Sequence, residues 1–89
     1  MREFEITYRV CGEVWDESRA HLEADAYRFT ELKVYKTERG ARNYMERFAL
    51  TADIPMLRLY KRVEAWDGAI LDEDLVAYKD TFGMWKAGE

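Results

Sequence analysis

Cysteine, histidine and proline each occur once in the 89 residues, as Cys11, His21 and Pro55. A lone cysteine cannot close an intrachain disulfide, which excludes a stapled secreted scaffold and favours a reducing, cytoplasmic compartment. One histidine and one cysteine are too few for a zinc site built from the usual nitrogen and sulfur ligands. Asp72-Glu73-Asp74 lacks the spaced ligands and central glycine of a calcium loop. Thr37-Glu38-Arg39-Gly40 holds a single glycine and no lysine followed by serine or threonine, so no phosphate-binding loop is present. No metal and no cofactor are expected. Long apolar runs are also missing. Nothing approaches the roughly 20 residues that span a bilayer, and Met1-Arg2-Glu3-Phe4-Glu5 is not followed by the apolar stretch of a secretory leader. No membrane partner is expected.

Catalytic constellations are as scarce. Cys11 and His21 form a dyad on paper only, because no helix N-terminus or glycine-framed turn is signalled at Cys11 to activate a thiolate. A buried strand cysteine is the plainer reading. The carboxylates are too scattered to assign an acid–base pair. The chain is therefore expected not to be an enzyme.

What the chain does have is apolar and aromatic mass. The apolar share is 48% and the aromatic share 15%, spread along the length, which argues against disorder and is enough for one compact core without disulfides or metal. This length makes one domain, residues 1–89. The net charge of -4 is segregated. Residues 1–26 carry three Lys/Arg and seven Asp/Glu, residues 27–62 nine and four, residues 63–89 two and seven. Such a basic middle between acidic ends either neutralises itself across neighbouring strands or presents a charged surface to a partner.

The patterning predicts an α+β fold, with a mostly antiparallel sheet of about four strands and one main helix, residues 38–50, packed on one face. Phe4, Ile6, Tyr8 and Val10 alternate with Glu3, Glu5, Thr7 and Arg9, the period of a strand with one wet face. Gly12 marks a bulge or a close approach. Asp16 either caps a short helix over residues 17–26 or opens a loop. Tyr27 and Phe29 alternate in one phase, Leu32 and Val34 in the other. That slip predicts a bulge near Thr30–Glu31, or two separate strands. Thr37 is a helix N-cap and Glu38 complements the helix dipole. Ala41, Tyr44, Met45, Phe48 and Ala49 form the apolar stripe, and Pro55 forces Ile54 out of helical geometry.

From Met56 the chain reads as a long hairpin around Asp67-Gly68, a two-residue turn signal. Opposed residue numbers then sum to 135. This sets Ile70 against Ala65, Val76 against Leu59, Tyr78 against Leu57, Leu75 against Tyr60, Glu73 against Arg62, Ala77 against Arg58 and Asp74 against Lys61. Leu71, Leu75, Tyr78 and Phe82 also fit helical spacing, so residues 73–81 remain strand or helix. The tail from Phe82 to Glu89 is apolar enough to pack back on the domain or to dock to a partner.

Two surfaces are candidates for recognition. Trp15, Trp66 and Trp85 fall at a strand end, a turn and the tail, where a small domain struggles to bury an indole. With Asp72, Glu73 and Asp74 they make a protein-binding set suited to a basic surface, including one that normally holds nucleic acid. The alternative is a nucleic-acid surface of Arg39, Arg42 and Arg47 on the helix with Arg58, Tyr60 and Arg62 on a strand, basic groups interleaved with an aromatic. The overall pI of about 5.1 weighs against it. Either way the chain is read as a monomer or homodimer.

A short acidic chain in which Tyr35-Lys36-Thr37-Glu38-Arg39-Gly40-Ala41-Arg42 leads from strand to helix resembles the small orphan proteins encoded by phages and mobile elements, including anti-CRISPR and other anti-defence proteins. The resemblance spans residues 27–79 and lies in size, charge and strand–helix–hairpin order, so it transfers no functional residue. It implies stoichiometric binding that blocks a host complex without turnover.

Overall fold

The structure is a computed structural model that describes residues 3–15 and 27–87, and of Trp15 and Tyr27 the backbone alone. The segment after Asp16, a short helix or a loop on the sequence, lies with His21 outside the described residues. The elements run β1 (Phe4–Trp15), β2 (Tyr27–Tyr35), α1 (Glu38–Arg47), β3 (Met56–Ala65), β4 (Ile70–Asp80) and β5 (Gly83–Lys86). All five strands join one sheet in the order β2-β1-β3-β4-β5, every neighbouring pair antiparallel. Strand β1 is flanked by β2 and β3, so those two run parallel to each other and α1 crosses over β1 between them.

The fifth strand is the tail. Thr81 and Phe82 turn the chain so that Asp80 faces Gly83, and Met84 packs against the core. Residues 73–81 are strand up to Asp80 and not helix. Helical spacing there is coincidental, because strand pairing with β3 on one side and β5 on the other satisfies the backbone.

Helix α1 begins as expected. The Gly40 amide donates to Thr37 Oγ1 at 3.1 Å. It ends three residues early, at Arg47, with Phe48 already extended. A strand side chain caps that end. The Lys79 ammonium of β4 donates to the carbonyls of Met45 (2.8 Å) and Phe48 (2.6 Å), with Glu46 at 3.3 Å, at the carbonyl end of the helix. Ala41 and Met45 are fully buried, while Tyr44 and Phe48 pack around them. Ala49 is exposed, and Leu50 takes the core position instead.

The core is Val10, Ala41, Met45, Leu57, Leu59 and Ala77. In β1 the even residues face it and the odd residues face away. Gly12 is a point of close approach, where a Cβ would lie 2.9 Å from Leu32 Cδ1 and 3.1 Å from Ile54 Cγ2. The bulge itself falls in β2. Val10 faces Lys33 and Cys11 faces Glu31, which leaves Leu32 as the extra residue, one position from where the slip placed it, within a single strand.

The β3–β4 hairpin keeps the expected register from Tyr60–Leu75 to Val63–Asp72, and therefore Arg62–Glu73 and Lys61–Asp74. It departs from it at both ends. Val76 is an extra residue, so Leu59 meets Ala77, Arg58 meets Tyr78 and Leu57 meets Lys79. A second shift sets Ile70 opposite Glu64 in place of Ala65. The turn is a three-residue loop, Trp66-Asp67-Gly68, closed by Ala65 N–H to Ala69 O at 2.7 Å and Gly68 N–H to Ala65 O at 2.9 Å. Gly68 takes φ +89°, which supplies the left-handed position such a loop needs.

Candidate functional site

A ten-residue helix is about 15 Å long, whereas strands of ten to twelve residues run about 33–40 Å. Helix α1 therefore covers only one end of its side of the sheet, the end holding Val10, Leu57, Leu59 and Ala77. At the other end the same side carries Phe4, Ile6, Val63 and Ala65, with no helix above them among the described residues. Phe4 is 51% exposed, and the adjoining turn and strand start expose Trp66 (83%), Ile70 (56%) and Leu71 (59%). An open depression of about 390 Å³ is lined by Phe4, Glu5, Glu64, Ala65, Trp66 and Gly68. Around it the charge is one-sided. Residues 3–6 and 61–74 include seven carboxylates (Glu3, Glu5, Glu64, Asp67, Asp72, Glu73, Asp74) and two cations, Lys61 and Arg62.

The structure thus divides the expected protein-binding residues. Trp66, Asp72, Glu73 and Asp74 share the uncovered end of the β3–β4 hairpin. Trp85 is on β5 towards the opposite end, with its indole N–H donating to Asp80 Oδ1 at 3.2 Å. The backbone of Trp15 ends β1 opposite Tyr27, far along the sheet from Phe4, and its side chain lies outside the described part. Phe4, Ile70 and Leu71 belong to the exposed end and are not singled out by sequence. The one signal for them is length: an apolar strand face longer than α1, the one helix among the described residues.

The nucleic-acid set is divided too. Arg39, Arg42 and Arg47 belong to α1 on one side of the sheet, whereas Arg58, Tyr60 and Arg62 point from the other side. On that open side a row of charges crosses the strands. Arg9 Nη1 donates to both oxygens of Glu31, at 2.8 and 2.9 Å, and Nη2 to Glu64 at 2.7 Å. Arg62 lies 3.7 Å from Glu64 and donates through Nε to Glu73. The Glu73 hydrogen bond, joined by the charges of Glu73, Glu64 and Glu31, holds the guanidinium pKa above its ordinary value against partial desolvation. Arg9 and Arg62 are thereby committed to carboxylates. Arg58 is not: its guanidinium lies 4.0 Å from the centroid of the Phe29 ring, and Nη1 reaches Tyr60 Oη at 3.4 Å.

Cys11 is a half-buried free thiol on the open side, opposite Glu31 and Arg58. Burial, then the negative charge of Glu31, push its pKa up, so the thiolate is disfavoured. Among the described residues no three His, Cys, Asp or Glu side chains converge as metal ligands, and no helix is long and apolar enough to cross a membrane. Comparison with protein-family models, curated proteins and solved structures returns no match.

Proposed function

We propose that this chain is a non-enzymatic protein-binding protein, an inhibitor of the phage anti-CRISPR type that occludes a host nucleoprotein complex. The observation that carries the reading is the end of the sheet beyond α1, where Phe4, Trp66, Ile70 and Leu71 are each more than half exposed in a stretch whose carboxylates outnumber its cations. Exposed aromatic and aliphatic side chains supply the contact energy of an interface, and a surrounding charge of one sign selects a partner of the other. A surface that normally grips a phosphate backbone has that opposite sign, so docking there excludes nucleic acid without any chemistry.

The experiment is capture from a host lysate on immobilised wild type beside Trp66→Ala/Leu71→Ser. A component retained in stoichiometric amount by wild type, lost from the variant and displaced by added nucleic acid supports the reading. Retention of the same component by both proteins, or of none by wild type, rejects it.

A second reading is favoured by Arg58, which stacks on Phe29 beside Tyr60 on a sheet face without a cover and forms no ion pair among the described residues. That arrangement suits a stacked base with its phosphate, as in a small nucleic-acid-associated regulator. A gel shift with short single strands at low salt, lost in Arg58→Ala, supports it; no shift rejects it.

A further inference from the structure

We propose that the outer edge of β4 over residues 70–75 is a strand-addition site for an extended partner segment in which basic and apolar side chains alternate; the inference rests on the protein-binding reading above. Strand β5 is far shorter than β4. It pairs with Ala77–Asp80, and Ala87 N–H adds one bond to Val76 O at 2.9 Å. Beyond that point, Ile70 to Leu75 has β3 on its inner side and no strand on its outer side among the described residues. All six residues are exposed. An open edge of this kind presents N–H and C=O groups to another strand; here the Glu73 amide donates to Asp72 Oδ1 at 3.0 Å, a local bond that an added strand must displace. From Asp72 to Leu75 the pairing with β3 is unbroken, so the backbone there is regular enough to template a neighbour.

The side chains select the occupant. Asp72 and Asp74 lie on the side of the sheet shared with α1, beyond its reach, and neither carboxylate forms an ion pair among the described residues. Glu73 points to the other side, where Arg62 already holds it, next to the exposed Leu75. A second copy adding antiparallel to this edge would set Asp72 against Asp74 twice, and opposed like charges destabilise a strand pair. A strand with lysine or arginine at alternate positions meets Asp72 and Asp74 on one side of the sheet. Its intervening apolar residues cover Leu75 on the other.

The probe is a short peptide of alternating lysine and valine, added to the full chain at moderate salt. The same peptide methylated on alternate backbone nitrogens, in both phases, removes strand hydrogen bonds without removing charge. We expect the parent peptide to bind and to slow amide exchange within residues 70–75. One methylated phase should bind about tenfold more weakly or worse, and Asp72→Lys/Asp74→Lys, folded by circular dichroism, should not bind. Three results overturn the proposal: no binding by the parent peptide, binding of both methylated phases within about twofold of it, or protection confined to β2 or the open sheet face. A chain that dimerises through β4 in sedimentation and is dissociated by the peptide would assign the edge to a second copy, and overturns it too. Loss of the host partner on Trp66→Ala/Leu71→Ser but not on Asp72→Lys/Asp74→Lys would leave the docking reading standing and reject strand addition alone.

Discussion

Lys79 of β4 donates to the carbonyl of Phe48 at 2.6 Å, so a strand side chain closes the end of the only helix among the described residues. Met45 at 2.8 Å completes the clamp. The contact ties the last turn of α1 to the sheet beneath it.

Replacing Lys79 with methionine keeps most of the stem and removes the donor. A charged hydrogen bond to a partly buried acceptor contributes about 1.5–3 kcal/mol, part of it as favourable interaction with the helix dipole. Lys79→Met should lower the thermal midpoint by about 6–20 °C in a domain of this size. Amide exchange should quicken first in the last turn of α1. A midpoint unchanged from wild type would show that water replaces the ammonium without loss.

Gly12→Ala forces a methyl group against Leu32 and Ile54. Leu32 offers a movable side-chain end, but Ile54 is branched at Cβ and stiff, so a cost of about 1–3 kcal/mol is expected in chemical denaturation. Leu32→Ala alone leaves a void. Combined with Gly12→Ala it should cost less than the two single changes added together, because the new methyl group enters that void. Simple additivity would mean that the two sites do not touch in solution.

Asp80 accepts from the Phe82 amide (2.8 Å), the Gly83 amide (3.1 Å) and the Trp85 indole (3.2 Å) through one oxygen. These bonds, the Phe82 amide foremost, hold its pKa below the ordinary 3.8. The folded carboxyl is the stronger acid, so its contribution to stability is full above the unfolded value and is lost as pH falls through the folded one. Carboxyl titration by NMR should place Asp80 below the ordinary aspartate value. Asp80→Asn should flatten the acid limb of the stability profile and free the Trp85 indole. A titration at the ordinary value would remove this account of the β4–β5 turn.

Cys11 should react slowly with iodoacetamide at neutral pH, because burial and the Glu31 charge keep the thiol protonated. Unfolding in urea should restore the rate of an ordinary thiol, and Glu31→Gln should raise the folded rate modestly. Fast alkylation of the native protein would reopen a nucleophilic role for this residue.

The residues that announced themselves in the sequence are those governed by neighbours a few positions away. Thr37 caps its helix, Phe4 to Val10 alternate, and Arg62 finds Glu73 by register counting alone. What was illegible depends on partners distant in the chain. The end of α1 is capped by Lys79, which lies on a distant strand. The register beyond Tyr60 shifts because Val76 is accommodated as an extra residue. The turn is three residues long because Ala65 pairs with Ala69 across it, with Gly68 in the left-handed position. For the site, Trp66 and Asp72–Asp74 were legible as exposed types. Their company with Phe4, Ile70 and Leu71 was not, since it follows from the sheet outrunning its helix. Trp85 is exposed as its position in the tail suggests, but the bond from its indole to Asp80 has no signal in the sequence.

The central place of β1 also sets an order of events during synthesis. Phe4 lies opposite Ala65, so the first strand made has its second neighbour only after β3 has left the ribosome. Until then β1 and β2 have only the short helix α1 to pack against, and the core lacks Leu57, Leu59 and Ala77. Closing a loop of that span before its contacts form slows folding. A chain released early, before β3, should leave β1 and β2 exposed to other strands, and a chain carried past Ala65 should acquire its protease resistance in one step.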